Sequence, residues 1–112
     1  MEMINWARVN ELRQEVGEED FGEVVELFLE EVDETLTRLK CAPDPDTFEE
    51  VMHFLKGSAL NLGFFHLGSI CQESKVAASQ GRPEDVDLES LFSTYALSKK
   101  EFLQSSGVEI AA

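Results

Sequence analysis

Residues 48–63 read Phe-Glu-Glu-Val-Met-His-Phe-Leu-Lys-Gly-Ser-Ala-Leu-Asn-Leu-Gly, and they carry the clearest pattern in the 112-residue chain. Their apolar side chains recur at the helical spacing of three and four residues, which is typical of a helix with one buried face. The stripe consists of Phe48, Val51, Met52, Leu55, Ala59 and Leu62. The pattern predicts a helix that buries this stripe and ends at Gly63.

His53 falls on the opposite side of this helix, so the pattern predicts that its imidazole faces water. Gly57 follows one turn later, and a glycine inside a helix costs about 0.5–1 kcal/mol relative to alanine. We interpret Gly57, which has no side chain, as leaving space beside the imidazole ring of His53. A neutral imidazole is a competent nucleophile near pH 7, and Lys56 can supply a point charge to a phosphoryl group. Phe54 and Leu60 also miss the stripe, and apolar side chains around a reactive group suit docking of another protein.

Four further helices are expected from the same 3.6-residue period, and no convincing strand period appears. We place them at Asn5 to about Gln14, from Asp20 through Leu39, at about Phe65 to Gln80, and at about Asp85 to Gln104. Gly17 is expected to end the first helix, and Asp20-x-x-Glu23 to form a capping box for the second. Asp44 or Asp46 can cap the helix of residues 48–62. Because the connections are short, we predict an all-α fold, an antiparallel up-down four-helix bundle with the short first helix packed on one end.

The composition indicates one small acidic domain, which we expect to span residues 1–112. Acids outnumber bases 23 to 9, for a net charge of −14, which argues against binding to nucleic acid or to an anionic membrane. No apolar run approaches the roughly 18 residues of a transmembrane helix, and the N-terminus lacks signal-peptide features. We therefore expect a cytoplasmic protein. A monomer is expected because one bundle uses all the apolar stripes.

Residues 53–63 resemble the signature of histidine-containing phosphotransfer (HPt) domains, H-x-L-K-G-S-A-x-x-L-G. The matching positions are His53, Leu55, Lys56, Gly57, Ser58, Ala59, Leu62 and Gly63. The stretch Ile70-Cys71-Gln72-Glu73 is also similar to the next helix of the family. The resemblance implies an antiparallel four-helix bundle without intrinsic kinase activity.

The same resemblance implies a phosphorelay intermediate of two-component signal transduction. His53 would accept a phosphoryl group from the aspartyl phosphate of a response-regulator receiver domain, or from a (hybrid) histidine kinase, and pass it to another receiver. Lys56 would stabilise phosphoryl charge, and Gly57 would keep the surface clear. The expected docking residues are Phe54, Leu60 and Asn61. No metal or cofactor is expected in the chain itself, because the receiver would bring the Mg²⁺ of the transfer.

Three other interpretations were open at the level of sequence. Glu50-x-x-His53 has the spacing of a di-iron site, but a second copy is absent because Gly63 precedes His66 by three residues. A cysteine nucleophile is disfavoured because Cys71 falls on the buried side of its helix. The remaining alternative is a non-catalytic interaction module of the same fold, since a fold does not establish a function. The chain contains no recognised ATP-binding loop, so autonomous kinase activity is not expected.

Overall fold

The computed structural model describes residues 2–108, which form five α-helices and two 3₁₀ turns and contain no strand. The helices are α1 (Trp6–Val16), α2 (Glu18–Cys41), α3 (Phe48–Leu62), α4 (Phe65–Ser79) and α5 (Leu88–Ser106). The 3₁₀ turns are Pro45–Thr47 and Pro83–Asp85. The predicted all-α class is therefore confirmed. Within this part of the chain, no helix has the length and apolar character needed to cross a membrane.

The start of α2 differs from the expected capping box. The helix begins at Glu18, and no side chain caps it. Gly17 adopts a φ of 85°, which lets the chain turn directly from α1 into α2. The N–H groups of Asp20 and Phe21 both donate to the Gly17 carbonyl, at 3.2 and 3.0 Å. Asp20 therefore already lies in the first turn and is not the cap.

Two of the other helices, α1 and α5, begin at a short polar side chain that accepts a backbone N–H group. Asn5 caps α1 as predicted, by accepting the Arg8 N–H at 3.3 Å. Asp44 begins the first 3₁₀ turn by accepting the Asp46 N–H at 3.1 Å, so it acts one step before α3. α5 begins three residues later than expected, because the chain first makes the turn Pro83–Asp85.

One core unites the helices. The predicted stripe of α3 is buried except for Val51, which is half-buried. On α2 the buried face runs through Leu29, and Phe28 is only half-buried. Phe64 is fully buried, and its ring centroid lies 5.5 Å from that of Phe102 on α5. This ring pair joins the α3–α4 connection to the last helix.

α1 is fastened to the C-terminal end of α3. The Asn5 N–H donates to the Gly63 carbonyl at 2.7 Å, and Arg8 Nε donates to the Asn61 carbonyl at 3.2 Å. Trp6 stacks on Phe102 with a centroid distance of 6.0 Å and an interplanar angle of 7°. These contacts fix the first helix beside the end of the motif-bearing helix.

α3 packs most extensively against α4, and only Gly63 and Phe64 connect them. Gly63 has a φ of 81° and ends α3 in the left-handed conformation. A Cβ at Gly63 would lie 2.8 Å from the Asn5 carbonyl oxygen, so α1 can approach only a glycine here. Gly68 allows a similar approach of α3, because a Cβ there would lie 2.8 Å from Leu60 Cδ2. Both glycines therefore permit close packing around the motif.

Candidate functional site

His53 lies in the middle of α3, and its side chain is exposed, as the position of the stripe predicted. Leu55, on the opposite side of the helix, is 1% exposed, and Met52 of the same apolar stripe is 0% exposed. The apolar stripe therefore holds α3 with the imidazole directed away from the core.

The space beside His53 is open because Gly57 carries no side chain. A Cβ at Gly57 would meet no atom within 4 Å, so packing does not require glycine. Its φ is not positive either, so the backbone does not require glycine. Gly57 thus destabilises the helix although neither packing nor backbone conformation requires it. Its effect is to leave the surface beside His53 free of a side chain.

Gly57 is the centre of a diamond of exposed residues. Residues three and four positions apart are neighbours on a helix surface. His53 and Phe54 therefore adjoin Gly57 from one turn before, and Leu60 and Asn61 adjoin it from one turn after. Phe54 and Leu60 are 41% and 43% exposed, and Asn61 is exposed. The structure thus brings the nucleophile candidate and the three predicted docking residues onto one surface.

Lys56 lies one turn from His53 and is half-buried. No carboxylate within residues 2–108 forms an ion pair with it. Its ammonium is therefore free to interact with an anion at the neighbouring imidazole.

The sequence did not assign a role to Arg8, which supports this surface from α1. Its Nε holds the carbonyl of Asn61, and its guanidinium contacts Glu15 at 3.1 Å. Arg8 and Asn61 are 53 positions apart in sequence, so no local pattern could have indicated the hydrogen bond between them.

The other candidate nucleophiles lie in different surroundings. Cys71 is fully buried, and this burial raises the pKa of its thiol to about 12, so the reactive thiolate is suppressed. Cys41 is exposed near the end of α2, and His66 is half-buried near the start of α4. In the described residues, no group of three or more His, Cys, Asp and Glu side chains could hold a metal ion.

The chain matches a known protein family over a segment that includes the motif-bearing helix. The Hpt domain family matches residues 23–104, a segment that includes all of α3 and α4 and leaves out α1. The chain belongs to the Hpt domain family. The family membership that residues 53–63 predicted is thereby confirmed.

This Hpt protein is also similar to a curated relative, the phosphorelay protein LuxU of Vibrio cholerae serotype O1. The two are 31% identical over 91 residues, which is 79% of this chain and 80% of the relative. No solved structure matches the chain at a significant level. Family and relative together show that the Hpt protein is a phosphorelay intermediate with partners in two-component signalling.

Proposed function

We propose that His53 accepts a phosphoryl group from the aspartyl phosphate of a receiver domain, or from a histidine kinase, and passes it to a second receiver. The observation that carries this proposal is the open diamond around Gly57, with an exposed imidazole at one corner. We place this activity in a single cytoplasmic domain of residues 1–112 that acts as a monomer.

The proposed step exchanges one phosphorus bond for another. A lone pair on a ring nitrogen of His53 attacks the phosphorus, an N–P bond forms, and the O–P bond of the acyl phosphate breaks. The receiver carboxylate leaves with the bonding electrons, and the N–H proton on the other ring nitrogen of His53 stays on the ring. When a histidine kinase is the donor, the N–P bond of its phosphohistidine breaks instead, and its imidazole leaves with the bonding electrons. Transfer to the second receiver reverses these events. Such a transfer depends chiefly on in-line positioning and charge stabilisation, so no ATP site is needed in this chain.

The neighbours of His53 divide the remaining tasks. Lys56 stabilises the negative charge of the phosphoryl oxygens, and Gly57 lets the receiver approach the ring. Phe54, Leu60 and Asn61 form the contact with the receiver. The Mg²⁺ comes with the receiver, and the chain contributes no cofactor of its own.

We also propose the finer architecture that this role requires, in which α2 to α5 form an antiparallel up-down four-helix bundle and α1 packs on one end. The two-residue connection between α3 and α4 supports it, because so short a link reverses the chain. The bonds from Asn5 and Arg8 to the end of α3 support the position of α1.

The test is to incubate the protein with a phosphorylated receiver domain and Mg²⁺ and to measure acid-labile, alkali-stable phosphate on it. The chain has two histidines, so His66→Gln is a matched control for His53→Gln. We expect label on the wild type and on His66→Gln, and none on His53→Gln.

Two results would overturn the proposal. Label retained on His53→Gln would move the phosphorylated position elsewhere. Failure of the wild type to accept label from any of several receivers, with receiver binding intact, would favour the non-catalytic interaction module.

A further inference from the structure

The half-buried basic side chains of the protein fall into two groups. Arg8, Arg13 and Lys99 each contact a carboxylate, with N–O distances of 3.1, 2.6 and 3.1 Å. Lys56 and Lys75 are also half-buried, but neither has a carboxylate within 4.0 Å in residues 2–108. Because acids outnumber bases 23 to 9, two such lysines require an explanation.

The register of α3 against α4 places Lys75 relative to the motif. Gly68 of α4 lies under Leu60 of α3, since a Cβ at Gly68 would be 2.8 Å from Leu60 Cδ2 and 3.9 Å from Ala59 Cβ. Because only residues 63 and 64 connect the helices, they run in opposite directions. Each turn backward along α3 therefore corresponds to one turn forward along α4.

Two turns counted from Leu60 along α3, and from Gly68 along α4, reach the level of His53. One turn is about 3.6 residues, so the first step pairs Lys56 with Gln72. The second step pairs His53 with Lys75. Both helices advance by the same rise per residue, so the pairing holds over this short distance.

The seam between α3 and α4 contains one buried acceptor, which neither Lys56 nor Lys75 contacts in this structure. Gln72 Oε1 is buried and has no hydrogen-bond partner among the described residues. It lies opposite Lys56 and one turn before Lys75 on the same side of α4. An amide oxygen can orient an ammonium without neutralising it, whereas a carboxylate would cancel its charge.

We propose that Lys75 is a second cation of the phosphoryl site and acts on the phosphoryl group of His53 from the neighbouring helix. This inference rests on the proposed phosphorylation of His53. Lys56 from α3 and Lys75 from α4 then flank the same group.

The charge of the site explains why a second cation is needed. A phosphoryl group adds about two negative charges, and the chain already carries −14. Glu49 and Glu50 lie one turn before His53 on α3 and repel the added charge. A cation at residue 75 offsets this repulsion, so it favours the phosphorylated form.

The test is a charge series at position 75 in the full chain: Lys75→Arg, Lys75→Met and Lys75→Glu. The measured quantity is the equilibrium ratio of phosphorylated protein to phosphorylated receiver after exchange with Mg²⁺ present. For one charge at short range near the surface, we expect a loss of about three- to tenfold in Lys75→Met. Lys75→Glu should lose more, and Lys75→Arg should retain the wild-type ratio. Lys100→Met is the matched control, because Lys100 is an exposed lysine of α5 without an ion pair in the described residues.

The series separates this inference from the proposed function. If the wild type is phosphorylated and the ratio does not depend on the charge at residue 75, the inference is wrong and the proposed function stands. If no receiver phosphorylates His53, the proposed function is wrong and the inference falls with it.

The NMR signals of the His53 ring then give a separate reading of geometry in the unphosphorylated protein. Lys75→Met should shift these signals and Lys100→Met should not. Thermal melting of each variant checks that the fold is kept, and an unshifted ring signal in a folded Lys75→Met protein would contradict the placement.

Discussion

Among single residues, Gly57 is the position in α3 at which we expect stability and phosphotransfer to respond in opposite directions to one substitution. Alanine would fit its backbone and meet no atom within 4 Å. Gly57→Ala should therefore raise the free energy of unfolding by about 0.5–1 kcal/mol. It should at the same time lower the rate of phosphotransfer, because the added methyl group occupies the centre of the surface around His53.

Gly22 is the matched control for this prediction. It lies inside α2, and a Cβ there also meets nothing within 4 Å. Urea denaturation should show a similar gain for Gly22→Ala, while phosphotransfer stays at the wild-type rate. Unchanged phosphotransfer in Gly57→Ala would show that the open surface has no function.

The free energy of unfolding should depend on pH because the Cys71 thiol is buried. Burial raises the pKa of its thiol to about 12, whereas the unfolded chain releases this proton near pH 8.5. Above about pH 8.5 the unfolded state binds fewer protons, so the free energy of unfolding falls as the pH rises.

The measurement is urea denaturation between pH 7 and pH 10. Cys71→Ala should flatten the decline that begins near pH 8.5. Burial also raises the pKa of Tyr95, so some decline at higher pH should remain in every variant. If the free energy of unfolding declined with pH equally in Cys71→Ala and in the wild type, Cys71 would not be the cause of the decline.

At the scale of the helices, the contact between α1 and the end of α3 depends on Gly63. A methyl group at Gly63 would lie 2.8 Å from the Asn5 carbonyl oxygen and 2.9 Å from Val9 Cγ2, at a φ of 81°. Gly107 ends α5 at a similar φ of 78°, but a Cβ there meets nothing within 4 Å. Comparing alanine variants of Gly63 and Gly107 therefore separates two contributions to the free energy of unfolding. One is the strain of a left-handed backbone, and the other is the steric clash with α1.

Gly107→Ala should lose only the backbone contribution, about 1–2 kcal/mol. Gly63→Ala should lose at least about 1 kcal/mol more, because the clash overpacks the contact with α1. Amide hydrogen exchange should also increase in α1 of the Gly63 variant. Equal losses in the two variants would mean that α1 does not pack closely on Gly63.

Most elements could be predicted from the sequence because their apolar period is strong. The stripe of α3 alone fixed both the burial of Leu55 and the exposure of His53. The start of α2 could not be predicted, because the sequence does not show that Gly17 takes a positive φ and begins the helix early. Arg8 also escaped prediction, because its hydrogen bond to the Asn61 carbonyl depends on the packing of α1 against α3. The proposed role of Lys75 likewise depends on the packing of α4 against α3.

At the scale of the whole molecule, the net charge of −14 shapes how a partner approaches. A receiver of net negative charge is repelled at long range, so we expect docking to depend on the proposed contact surface around Gly57. Raising the ionic strength from about 0.01 M to about 0.1 M shortens the Debye length from about 30 Å to about 10 Å. The association rate constant with such a receiver should therefore rise with salt.

Stopped-flow measurement of association would check this prediction. A variant with glutamine at three exposed acids of α2, Glu23, Glu26 and Glu30, should associate faster at low salt and respond less to added salt. A rate that falls with salt would show that attraction between opposite charges guides docking instead.

We propose that this Hpt protein relays phosphoryl groups through His53, and a relay between two receivers provides the decisive test. One receiver is phosphorylated with labelled phosphate, and the second is unlabelled and exchanges no label with the first. We predict that wild-type protein and His66→Gln carry label to the second receiver in the presence of Mg²⁺, and that His53→Gln carries none. Label that reaches the second receiver through the His53→Gln variant would show that the relay does not pass through His53.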